Sequence, residues 1–201
     1  MGNIDLKSVS AQYMDVLKEI GNIGAGNATT ALASMLQCRI DMAVPEVKLI
    51  EVDELAASLG GKERVMTAIF LEVEGDIIFL LEQGSARFLV SKLMGMDLEG
   101  KEFSEMELSC IKEISNIIAG SYLNSLSTLT NLKIYPSVPH LQMDMVESIL
   151  HSPVRTHASD NDQILFIQTE FTDDIQLGGY FVMIPETESY GKILGALGIS
   201  L

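Results

Sequence analysis

One stretch of this chain is written twice, and nothing else in the sequence limits the possible folds as strongly. Sliding the chain by 94 positions aligns "KEIGNIGAGNATTALASMLQCRIDMAVP" (residues 18–45) with "KEISNIIAGSYLNSLSTLTNLKIYPSVP" (residues 112–139), without a gap and with 11 of 28 positions identical. Chance pairing of two such stretches would leave about two identities, so the chain reads as an internal duplication. With two copies it is a pseudo-symmetric pair rather than a repeat array.

The repeat also settles what kind of element carries the glycines Gly21, Gly24 and Gly26. Their spacing, G-x-x-G-x-G, could suggest a phosphate-cradling loop, but such a loop follows a buried strand. Here the preceding "SVSAQYMDVLKEI" has Val9, Tyr13, Val16, Leu17 and Ile20 at helical spacing. In the second copy Gly21 becomes Ser115 and Gly24 becomes Ile118, and only Gly26 returns, as Gly120. A loop that needs bare backbone at an anion could not accept those replacements. The second copy has apolar residues at Leu108, Ile111, Ile114, Ile118 and Leu126, a helical pattern. The stretch is therefore predicted to be helix, with glycines that permit close packing.

The rest of each copy fits one plan. A short strand ending near Pro45 or Pro139 follows the long helix, then a strand pair, then a closing helix. The first pair, "RVMTAIFLEVEGDIIFLLEQ", turns at Glu74-Gly75-Asp76, and the second, "QILFIQTEFTDDIQLGGYFVMIP", turns at Asp173-Asp174. The closing helices are "GSARFLVSKLMG" and "TESYGKILGALG". Residues 96–108 read as a polar linker in which Ser104 and Glu107 suit a capping box. Each half alone would bury too little surface to be secure, so the two are expected to share a sheet. The expected fold class is α/β (α+β). One domain spans residues 1–201, made of repeats at about 8–95 and 102–198, with the long helices on a shared, mainly antiparallel sheet.

Composition narrows the function. At a formal net charge of −15 the chain is a poor partner for nucleic acid or an anionic membrane surface, both of which need clustered Lys and Arg. Its apolar runs, such as "IIFLL" at residues 77–81, fall far short of a bilayer span, and no secretion signal opens the chain. A soluble, cytoplasmic protein is expected. Cys38 and Cys110 each sit in an apolar pattern and are expected to be buried free thiols. His140, His151 and His157 show no ligand spacing, so no metal and no cofactor of its own is expected.

Duplicated modules keep apolar residues for packing, whereas retained polar residues ask for another reason. Three positions recur in register: Asp15 with Ser109, Glu19 with Glu113, and Asn22 with Asn116. Offsets of four and seven residues put each set on one helical stripe. A solvated helix face would explain one such stripe, and less readily two identical Glu–Asn pairs. No Ser–His or Cys–His pair is present for a covalent nucleophile. An Asn carboxamide carries a donor and an acceptor and can orient a water without titrating, and a Glu can pair with a partner's lysine. That combination suits helping hydrolyse a labile bond held mainly by a partner.

At these residues the sequence resembles the CheC, CheX and FliY phosphatases of bacterial and archaeal chemotaxis. Their pattern Asp/Ser-x3-Glu-x2-Asn-x22-Pro is matched twice, at Asp15, Glu19, Asn22 and Pro45 and at Ser109, Glu113, Asn116 and Pro139. Two intact copies are CheC-like rather than CheX-like. The resemblance implies hydrolysis of the aspartyl phosphate of the response regulator CheY. Asn22 and Asn116 would aim the attacking water, and Glu19 and Glu113 would pair with the regulator's lysine. Asp15 and Ser109 would support the site, the prolines would be structural, and Mg²⁺ would belong to the regulator. It also implies binding to the deamidase CheD, which increases the activity. Two alternatives remain: a non-catalytic CheD-binding adaptor, or a flagellar-switch module of the FliY or FliM kind. Against the latter, the first helix is expected near residue 8 and the chain stops at Leu201, leaving no room for FliY's extra segments.

Overall fold

The computed structural model describes residues 11–72, 75–98, 102–134, 137–157, 163–172, 176–185, 192 and 195–196. Two 26-residue helices, α1 (Ala11–Leu36) and α4 (Glu105–Thr130), start 94 positions apart, at the spacing of the sequence repeat. Around them run β1 (Asp41–Met42), β2 (Glu46–Glu51), α2 (Val52–Ser58), β3 (Val65–Glu72), β4 (Gly75–Glu82), α3 (Gln83–Met94), β5 (His140–Met145), α5 (Val146–His157), β6 (Gln163–Thr172) and β7 (Gln176–Pro185). The correspondence runs past the aligned stretch, since β2 and β5 also begin 94 positions apart and each leads into a helix. It then drifts, because α5 is longer than α2.

The strands form one antiparallel sheet in the order β2-β6-β7-β4-β3-β5, with β1 extending the β2 edge along β6. A pseudo-two-fold between β7 and β4 exchanges β2 with β5, β6 with β3, and β7 with β4. Each half therefore lends its first strand to the other half: β2 pairs with β6 from Glu46↔Gln168 to Glu51↔Gln163, and β5 pairs with β3 from Val65↔Met145 to Phe70↔His140. The backbone groups of each hairpin's outer edge find partners only across the repeat boundary.

Alternation along the strands separates two cores, because successive side chains point to opposite faces. Ile69, Leu71, Ile77, Phe79, Leu81, Leu165, Ile167, Phe181 and Met183 face α1, α4 and α3. Met66, Ala68, Ile78, Leu80, Ile164, Phe166 and Val182 face Leu55 and Leu59 of α2 and Val146, Ile149 and Leu150 of α5. The expected fold class is what is found, with two departures. The short helices α2 and α5 were not anticipated, and they supply the second layer. In the first half the expected short strand before the proline is β1, and the longer β2 follows Pro45; in the second half the described strand, β5, starts only after Pro139.

The capping box is present: the Ser104 backbone N–H donates to Glu107 Oε2 (2.6 Å) and the Glu107 N–H donates to Ser104 Oγ (3.4 Å). Helix α4 accordingly starts at Glu105, and the linker ends at Ser104 rather than Leu108. Neither Cys38 nor Cys110 is in a disulfide, and both are half-buried rather than buried. The turn residues Glu74, Asp173 and Asp174, and the closing helix apart from Lys192, Gly195 and Ala196, lie outside the described residues.

Helices α1 and α4 approach closely through one bare position. A Cβ built on Gly24 would stand 2.4 Å from Tyr122 Cδ1 of α4. The Tyr122 ring is held by stacking on Phe181 (centroids 4.6 Å apart, 17° between planes) and by a 2.5 Å hydrogen bond between its hydroxyl and Thr169 Oγ1. The positions related to Gly24 and Tyr122 by the repeat are Ile118 and Ala28, both fully buried. Large and small side chains have thus changed places between the two halves, which keeps the shared interface filled. Gly21 is also tight, 2.8 Å from Val47 Cγ2, but Gly26 and Gly120 have nothing within 4 Å. Close packing therefore accounts for Gly21 and Gly24, and not for the glycine that the repeat retained.

Candidate functional site

Both polar stripes stand on helices anchored by their opposite faces. On α1, Leu17, Ile20, Gly24, Ala25 and Ala28 are buried, which turns Asp15 and Glu19 out to solvent and leaves Asn22 half-exposed. On α4, Ile111, Ile114, Ser115, Ile118 and Ala119 are buried, Ser109 and Glu113 are exposed, and Asn116 is half-exposed. Glu and Asn lie three residues apart in each case, so they are neighbours on the helix surface, about 4.5 Å apart along the axis.

Among the described residues, neither glutamate carboxylate and neither asparagine carboxamide has a hydrogen bond or ion pair within the chain. Asp15 differs, since its Oδ1 lies 3.8 Å from Lys18 Nζ, an exposed pair that contributes little to stability. Ser109 has no carboxylate to make the same contact. Of the six expected site residues, the fold thus gathers three on each helix, and the two trios stay on separate helices.

The edge strand sets one border of the first trio. Pro45 is buried, and its Cγ lies 3.8 Å from the Cβ position of Gly21, the residue before Asn22. In the second half Ser115 takes the place of Gly21 and is fully buried, with a hydroxyl that has no partner among the described residues. The two sites are therefore alike in their Glu–Asn pairs and unlike directly beneath them. Among the described residues no group of three or more His, Cys, Asp or Glu is placed to hold a metal ion, and no helix is long and apolar enough to cross a membrane.

The model of the CheC-like family matches twice, at residues 13–49 and 106–142, and so covers both stripes and both prolines. The "CheY-P phosphatase CheC" of Bacillus subtilis (strain 168) is 34% identical over 203 residues, spanning 96% of this chain and 97% of that protein. The chain belongs to the CheC-like family. The "Flagellar motor switch phosphatase FliY" of the same organism is 28% identical over 142 residues, which are 69% of this chain and 38% of FliY. Among solved structures, that of Thermotoga maritima FliY superposes on this CheC-like fold with a TM-score of 0.78 at 21% identity, covering 95% of this chain and 98% of that one. At that identity the structural likeness speaks for the fold.

Proposed function

We propose that this protein is a chemotaxis phosphatase that hydrolyses the aspartyl phosphate of the response regulator CheY. The observation that carries the reading is the pair of Glu–Asn stripes, solvent-facing and without partners in the chain, at one register on two helices. The family relationship supports it, since the CheC and FliY relatives are both named as phosphatases.

In this reading the phosphorylated regulator docks on a stripe, and Asn22 or Asn116 enters beside the phosphoryl group. The carboxamide oxygen accepts a hydrogen bond from one water and its N–H2 donates to an acceptor nearby, so the water stands in line with the phosphorus. Alignment of that kind removes an entropic part of the barrier. Glu19 or Glu113 receives the regulator's lysine in a charge-assisted hydrogen bond and fixes the register of docking. Asp15 and Ser109, at the head of each stripe, support the site without touching the reacting atoms. Mg²⁺ belongs to the regulator, CheD binds the protein and raises its activity, and the protein works in the cytoplasm as one domain built of two repeats.

The test follows decay of phosphorylated CheY with wild type and with Asn22→Ala/Asn116→Ala. The double variant is expected to lose about 100-fold of the acceleration, the scale seen when one group aimed at a transition state is removed. Equal rates would reject the catalytic role and favour an adaptor that keeps the motif by descent.

A further inference from the structure

We propose that Val44 and Val138 are the apolar docking contacts of the two sites, gripping the phosphorylated regulator beside each Glu–Asn pair. The inference rests on the function proposed above and extends it to how the partner is held. Val44 and Val138 are the most exposed large hydrophobic side chains among the described residues, each 82% exposed. A single exposed valine is ordinary. The same valine at the same register of both halves, equally bare in each, has no packing reason to survive where 17 of 28 aligned positions changed.

Both valines also have a restricted backbone. Each precedes a proline, which restricts the valine's backbone to extended conformations. In the first half the edge strand carries a bulge there: Met42 pairs with Phe171 and Glu46 with Gln168, so four steps along this strand oppose three on β6. The bulge lifts residues 43–45 out of the regular ladder at the strand edge where proline is tolerated. Pro45 then packs beside Gly21, so Val44 and Asn22 are each one residue from the same contact. In the second half Val138-Pro139 stands directly ahead of the edge strand β5, at the positions that the repeat relates to Val44-Pro45.

The occupant follows from charge as well as position. At a net charge of −15 the chain offers no long-range attraction to a phosphorylated group, so short-range apolar burial must supply part of the affinity. A carboxylate for the partner's lysine, a carboxamide for the water and a bare valine beside them fit a protein surface around a phosphoaspartate. A free phosphorylated metabolite would gain nothing from the valine.

The experiment uses Val44→Thr/Val138→Thr, which keeps the β-branched shape and removes only apolar character, with Val44→Ala/Val138→Ala as a second variant. Binding is measured to CheY activated with beryllofluoride, alongside KM and kcat on phosphorylated CheY and the melting temperature. Both variants are expected to raise the dissociation constant and KM about 5- to 10-fold, the effect of losing one or two buried methyl equivalents, with the change falling on KM rather than kcat and with the melting temperature unmoved. Unchanged affinity in both variants overturns this inference alone. Valine-dependent binding without any hydrolysis by wild type would instead sustain it and overturn the phosphatase reading, and no binding by wild type overturns both.

Discussion

Gly24→Ala tests the packing that sets the two motif helices against each other. On propensity alone the change should stabilise an interior helical position by about 1 kcal/mol. The structure reverses that sign, because the new Cβ would lie 2.4 Å from Tyr122 Cδ1 and 2.9 Å from Cε1. Tyr122 has little room to yield, since it stacks on Phe181 and is tied to Thr169. Overpacking of this kind costs about 1–3 kcal/mol, and breaking the buried hydroxyl pair adds about 1–3 kcal/mol. Setting these against the propensity gain leaves a net loss of about 1–5 kcal/mol, and at its centre of about 3 kcal/mol a melting temperature lower by about 6–12 °C for a chain of this size. Gly26→Ala, two residues along the same helix with nothing within 4 Å, should show the bare propensity gain instead. Denaturant unfolding of both variants, with Tyr122→Leu and Gly24→Ala/Tyr122→Leu closing a double-mutant cycle, measures the clash directly. A Gly24→Ala protein as stable as Gly26→Ala, or no coupling in the cycle, would refute the reasoning.

Three further outcomes are expected. Burial pushes the Tyr122 hydroxyl up to about 12, against a smaller opposing effect of its bond to Thr169, so the unfolded chain ionises first as the pH passes 10. Folding stability should therefore be intact below pH 10 and fall by about 2–3 kcal/mol between pH 10 and 12; Tyr122→Phe should lose much of this alkaline decline, as read by urea midpoints across that range. Ser115→Ala should raise stability by about 1–2 kcal/mol, because it removes a buried hydroxyl without a partner and installs a better helix former; a lower urea midpoint would contradict that. Asn22→Ala and Asn116→Ala made singly should each leave a substantial part of the phosphatase rate, since neither stripe is broken in sequence, and complete loss from one change would contradict two independent sites.

Much of the fold is legible in the chain because it is written twice. Ser115 and Ile118 in place of Gly21 and Gly24 identify a helix before any coordinate is known, and the Ser104–Glu107 signature marks where its second copy begins. The stripes of Asp15, Glu19 and Asn22 and of Ser109, Glu113 and Asn116 follow from helical spacing alone. The helices α2 and α5 were not legible, because α2 is only seven residues long and Pro153 within α5 reads as a breaker. Burial against the second face of the sheet overrides those local signals.

Periodicity and duplication in the sequence determined the elements, their pairing into halves and the residues on each polar stripe, all of which depend on neighbours a few positions apart. Tertiary structure alone decided that β2 and β5 cross to the opposite half, and that Gly24 rather than Gly26 is the bare contact. It also decided that Val44 and Val138 stand in water. Strand exchange, steric fit and exposure depend on residues distant in the chain, and spacing along one segment carries no record of what another segment brings to it.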